Sequence, residues 1–191
     1  MQKNFDFIHR LQTRTAMLAI GRSTLRNQGA PGMVAHAREF LGGIDLSKFS
    51  TISIEQFTEQ LNIETNSLAD SFPSEGKGNW GAARKSINIF LRDVLYSRHL
   101  CEHFNLAYIE PWLEVPLDSD VYNGLSLDSN EALPKWPRIR NLDSKISNNL
   151  QNIATNIAQS LGVYRIHLDV LYWRRELVNN LQANPSFKRD A

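Results

Sequence analysis

The sequence predicts an all-α protein, on three observations. Apolar residues recur at three- and four-residue steps through most of the chain, the period of amphipathic helices. Period-two alternation, the mark of a half-buried strand, is nearly absent. Capping residues and glycines stand where helices of ordinary length would begin and end. No internal repeat and no low-complexity tract interrupts this pattern. At 191 residues the chain can bury one good core, or two helical lobes that share a cleft. A single helical domain over 1–191 is therefore expected.

The elements follow in order. A first helix runs to about Gly21, with Phe5, Ile8, Leu11, Thr15 and Leu18 on one side. Gly29-Ala30-Pro31-Gly32 is a loop, and 33–41 is a short helix closed by Gly42-Gly43. Ser53-Ile54-Glu55-Gln56 has the form of a capping box and opens a helix through about Leu61. A polar connection over 71–78 leads into a long central helix after Gly81. Its buried stripe over 82–104 is Ile87, Phe90, Leu91, Val94, Leu95 and Leu100. Ile146, Leu150, Ile153, Ile157 and Leu161 mark a further helix that Gly162 breaks, and a last one is expected over 164–181.

Composition excludes several classes. With 42% hydrophobic and 21% charged residues the chain is neither fibrous nor disordered. No apolar run is long enough to span a bilayer, and the start lacks a signal peptide's hydrophobic region, so no membrane partner and a cytoplasmic location are expected. The single cysteine, Cys101, fits a reducing compartment and forms no internal disulfide. Cys101 and His103 make a Cys-x-His pair that nothing nearby completes, so a structural thiol and no metal are expected.

A net charge of +1 argues against a globally basic nucleic-acid binder, but charge is unevenly placed. Segment 75–98 carries Lys77, Arg84, Lys85, Arg92 and Arg98 against Glu75 and Asp93. Segment 135–145 carries Lys135, Arg138, Arg140 and Lys145 against Asp143. Each is either a phosphate grip or a solvated helix face.

The chemistry-bearing stretches are Trp80-Gly81-Ala82-Ala83-Arg84-Lys85 and Glu114-Val115-Pro116-Leu117-Asp118. An amine is a nucleophile for a sugar carbon, and a carboxylate stabilises the cationic transition state that forms there. Lys85 is expected in the first helical turn, where unpaired amides and the helix dipole favour the neutral amine that attacks. The same amides would bind a DNA phosphate.

Gly81-Ala82-Ala83-Arg84-Lys85 resembles the hairpin and second-helix start of the helix–hairpin–helix DNA glycosylases, whose lyase-competent members carry lysine at this place. Val115-Pro116-Leu117-Asp118 resembles the Val-Pro-Val-Asp segment that bears the superfamily's catalytic aspartate. The similarity covers about 76–125. Ala83 stands where the pattern has a second glycine. The spacing from Lys85 to Asp118 is more like the archaeal 8-oxoguanine branch than the bacterial or eukaryotic members. Four cysteines for an iron–sulfur cluster are lacking, so no cofactor is expected.

What the resemblance implies is a monomeric DNA glycosylase with lyase activity, acting on double-stranded DNA that holds a damaged or modified base. Lys85 would be the Schiff-base nucleophile and Asp118 the essential carboxylate. Gly81, Ala83, Arg84, Lys77, Arg138 and Arg140 would hold the DNA backbone. Asp169, Tyr172 and Trp173 would line the pocket for the flipped base, and Trp80 would wedge into the vacated stack. Oxidised purines are the leading substrate. The alternatives are a phage-defence enzyme that removes a bulky modified cytosine, a non-catalytic helix–hairpin–helix module in which Asp118 is only an N-cap, and a helical protein-interaction domain.

Overall fold

The computed structural model describes residues 2–29, 31–173 and 175, and among these it holds eight α-helices and five short 3-10 turns. No strand occurs among the described residues, so the all-α class predicted from periodicity is the class observed. The helices pack around two hydrophobic clusters. None of the described helices is long and apolar enough to cross a membrane.

α1 (Gln2–Ala19) turns Ile8, Leu11 and Thr15 inward as expected and also buries Ala16 and Ala19, whereas Leu18 is 72% exposed; the side chain of Phe5 lies outside what the structure describes. Gln12 shares the inner face, and its buried amide donates to the carbonyls of Leu41, Gly42 and Ile44. Those are carbonyls at the end of α2 (Met33–Gly43) that the helix itself leaves without partners. A polar residue thus occupies the inner face because it satisfies a neighbouring helix end.

α3 (Ile54–Ser71) begins where expected, with Ser53 Oγ accepting from the Gln56 N–H at 3.3 Å. It runs well past Leu61. No glycine or proline stops it, and Thr65, Leu68 and Ala69 keep the inner stripe buried. α4 (Trp80–Tyr96) begins one residue before the glycine expected to precede it, because Asn79 Oδ1 accepts from the Ala82 N–H at 3.0 Å. Residues 81–91 are buried throughout, which makes α4 the central helix. The continuous helix expected to 104 is broken instead at Ser97, whose backbone is extended, and α5 (Arg98–His103) follows. Cys101 on α5 is buried; burial pushes its thiol up from the ordinary value, the behaviour of an inert structural thiol.

After a 3-10 stretch at Ala107–Trp112 the chain is extended and buried over 113–117, then enters α6 (Ser119–Asp128). α7 (Ser144–Ser160) is capped by Asp143, and Gly162 at φ 70° ends it, as predicted for a left-handed stop. In place of the start of the last expected helix there is a 3-10 turn at Arg165–His167, followed by α8 (Leu168–Tyr172). The part of that helix expected at 174 and over 176–181 lies outside the described residues.

The first cluster joins α1 to α5 around Phe49, Phe57 and Phe90. The second joins α6, α7 and α8 around Leu125, Leu150 and Tyr172. α4 reaches the second cluster at its own start. Gly81 faces the Ile139 carbonyl and Leu142 with no room for a Cβ. Gly124 likewise makes room for the ring of Tyr172. Both glycines permit close approach of backbone and side chain, which a methyl group would block.

Candidate active site

Lys85 is the sixth residue of α4, two residues deeper than expected and past the four N-terminal residues whose amides have no partner within the helix. Its side chain is 7% exposed, and Nζ lies 3.0 Å from Asp118 Oδ2. The Thr24 carbonyl is 3.4 Å from the same amine. Asp118 is the N-cap of α6: its other oxygen, Oδ1, accepts from the N–H groups of Asp120 and Val121, each at 3.0 Å. The two oxygens therefore have separate partners. Capping fixes the plane of the carboxylate and aims Oδ2 at the lysine.

This pair lies on the wall of a cleft of about 670 Å³. Lys85, Ile89 and Arg92 contribute one face of α4, at helical steps of four and three. Trp136, Arg138 and Ile139 come from the connection before α7, and Asp169 and Trp173 from α8 and its end. Thr24, Arg26 and Gln28 close the side formed by the loop after α1. Arg92 forms ion pairs with Asp169 and with Asp93, so Asp169 enters the cleft already held by a cation. Arg138 has φ 65°, a left-handed conformation costly for a residue with a Cβ, and it occurs at the cleft's edge.

Gln28 is the most telling lining residue. It is 9% exposed, its Nε2 donates to the Arg26 carbonyl at 2.9 Å, and its own carbonyl accepts from Asn79 Nδ2 at 2.8 Å. Its Oε1 is buried with no hydrogen-bond partner among the described residues. An acceptor left unpaired in this way costs about 1–3 kcal/mol unless something else donates to it.

Of the residues singled out from sequence, the structure brings Lys85, Asp118, Arg138, Asp169 and Trp173 to this one cleft. Others lie elsewhere, each for a physical reason. Arg84 is 4% exposed and points away from solvent, with Nε and Nη2 on the Glu114 carboxylate at 2.8 and 3.0 Å and Nη1 on Thr65. It is a buried charge that needs its partner, not a phosphate ligand. Ala83 is fully buried in the first cluster, and Gly81 is spent on helix packing. Trp80 is half-buried against the second cluster with the Arg84 guanidinium 5.1 Å from its ring centroid, so it staples the helix start. Tyr172 is 3% exposed and belongs to the second cluster, and burial pushes its phenol up. Lys77 and Arg140 are exposed and lie outside the lining of the cleft.

Gln28, Trp136 and the special place of Arg92 were not read from the sequence. Arg92 carries a usable signal, since it lies seven residues after Lys85 on the same helical face. Gln28 and Trp136 carry none, because only the tertiary fold brings their loops to α4. Among the described residues no group of three or more His, Cys, Asp or Glu is placed to hold a metal ion. Comparison of the chain with protein-family models, with curated proteins and with solved structures yields no match.

Proposed function

We propose that this protein is a DNA glycosylase with lyase activity, built on a two-lobed helix–hairpin–helix arrangement, that acts on a flipped-out modified base. The observation that carries the proposal is the Lys85–Asp118 pair at 3.0 Å on the wall of a cleft. A buried amine beside a carboxylate, open to a space large enough for a ligand, is the arrangement that nucleophilic attack on a sugar requires.

In the proposed reaction the base leaves C1′ with the electrons of the glycosidic bond and takes up a proton. Asp118 stabilises the positive charge that grows on the sugar, and Oδ2 is in place to receive the proton that the attacking amine gives up. Lys85 Nζ bonds to C1′, and opening of the sugar ring, with a proton to the ring oxygen, gives the imine. Loss of a C2′ proton then expels the 3′-phosphate and nicks the strand.

The lining of the cleft includes groups of the kind a flipped base needs: the Trp136 and Trp173 rings for stacking, and the Gln28 side-chain amide for hydrogen bonding. A side-chain amide in the lining suits an oxidised purine, which gains an N–H on oxidation and so offers the amide oxygen a donor. The test is borohydride trapping of the wild-type protein on duplexes bearing an abasic site, an oxidised purine or a bulky modified cytosine. A covalent protein–DNA band with one of the modified bases supports the proposal. Absence of any band, with DNA bound, would leave a non-catalytic binding module.

Selectivity among bases should depend on the other residues that line the cleft. Gln28→Leu, Asp169→Asn and Trp173→Ala are each expected to narrow the rate ratio between modified and normal bases by about tenfold or more, the cost of one lost buried hydrogen bond or stacking contact. Competition kinetics on mixed duplexes measure it, and an unchanged ratio in all three places the base elsewhere.

Backbone contacts should rest on the exposed cations around the cleft. Neutralising Arg138 and Arg140 together is expected to weaken binding to all duplexes alike and to flatten the slope of log affinity against log salt by about 2. A slope equal to that of the wild type would put the DNA on another face.

A further inference from the structure

The chain that carries Asp118 is irregular yet buried. Residues 113–117 have no helical or strand partner, and all five are buried. Side chains of three other elements hold this segment: those of Arg165 and Gln151 on its backbone, and those of α4 on its one carboxylate. Arg165 donates from Nη2 to the Trp112 carbonyl at 2.8 Å and from Nε to the Leu113 carbonyl at 2.9 Å. Arg84 and Asn88, both on α4, hold the Glu114 carboxylate. Gln151 on α7 holds Val115 by both of its backbone groups: Oε1 accepts the Val115 N–H at 3.1 Å and Nε2 donates to the Val115 carbonyl at 2.8 Å.

We infer that Gln151 is a positioning residue that sets the register of the 112–118 segment and thereby holds Asp118 Oδ2 against Lys85 Nζ. The inference rests on the reading of Lys85 and Asp118 as the reacting pair. A planar amide bonded to both the N–H and the C=O of one residue imitates a neighbouring strand, and it admits a single register. Gln151 is 2% exposed, so water does not compete for the same groups. Val115 is followed by Pro116, which has no N–H to offer, and by Leu117, which is anchored in the second cluster. Nothing flexible separates the clamp from the carboxylate. A change of register at Val115 therefore displaces Asp118, three residues on.

The test compares Gln151→Met, which fills the space without the amide, with Gln151→Glu, which keeps the acceptor for the Val115 N–H. Carbodiimide condenses adjacent carboxylate and amine groups into an amide, so wild-type protein should give a Lys85–Asp118 cross-linked peptide pair by mass spectrometry. Gln151→Met is expected to lower that yield by about tenfold or more and to slow excision by about 100-fold, the scale for a misplacement of ~1 Å, with DNA affinity unchanged. In Gln151→Glu the second oxygen donates to the Val115 carbonyl only when protonated, which burial favours, so its excision relative to wild type should rise as pH falls.

Wild-type cross-linking in a folded Gln151→Met, or a flat pH ratio in Gln151→Glu, overturns the inference. So does failure of both variants to fold, which would make Gln151 a residue of stability alone. Wild-type protein that cross-links but is never trapped by borohydride counts against the glycosylase reading and leaves the positioning role standing.

Discussion

Lys85→Ala is expected to abolish the borohydride-trapped complex while leaving DNA affinity close to that of the wild type. The amine is the group that would become the covalent link, and no neighbouring amine can take its place without rebuilding the site. Lys77 is the nearest lysine in sequence, but it is exposed and outside the cleft. The variant should fold. Asp118 keeps both capping hydrogen bonds and is 24% exposed, so loss of its partner leaves a carboxylate that water reaches rather than a stranded buried charge. Circular dichroism and a salt-dependent binding curve check fold and affinity; denaturing gels after borohydride check the covalent step. A trapped band of undiminished intensity would assign the imine to another amine and detach Lys85 from the chemistry.

How much of this was legible in the sequence differs by level. The helices were readable because their buried stripes and their caps are local: Ser53 and Gly162 act within a turn of their own position. The burial of Gln12 was not, because it answers the end of α2, and nothing near Gln12 in sequence announces it. Lys85 and Asp118 stand out on motif and order, yet their separation of 3.0 Å is a property of the tertiary fold that brings the start of α6 to α4. Arg84 shows the opposite failure. In a one-dimensional charge count it looks like Lys85's twin, whereas consecutive helical residues point about 100° apart. One turns to the cleft and the other into the core, where Glu114 awaits it. Local charge counts therefore overstate the basic surface of α4. The exposed cations Arg138 and Arg140 come from the connection before α7.

The carboxylate can be tested without disturbing the fold around it. Asp118→Asn keeps an oxygen that accepts from the Asp120 and Val121 N–H groups, so the start of α6 should remain capped. What changes is the group facing Lys85. In place of Oδ2 the amine meets an NH₂, which carries no negative charge and can accept no proton. If Asp118 stabilises the sugar cation, excision should fall by about 100- to 1000-fold, the usual loss when one preorganised electrostatic group is removed. Imine formation at a preformed abasic site should fall as well, because the proton leaving Lys85 has lost its acceptor. DNA affinity should stay the same or improve, since a negative charge near the phosphates is gone. Single-turnover kinetics separate these steps from product release. Wild-type rates in the variant would reduce Asp118 to its capping hydrogen bonds, and the 3.0 Å ion pair would then serve only to pin α6 to α4.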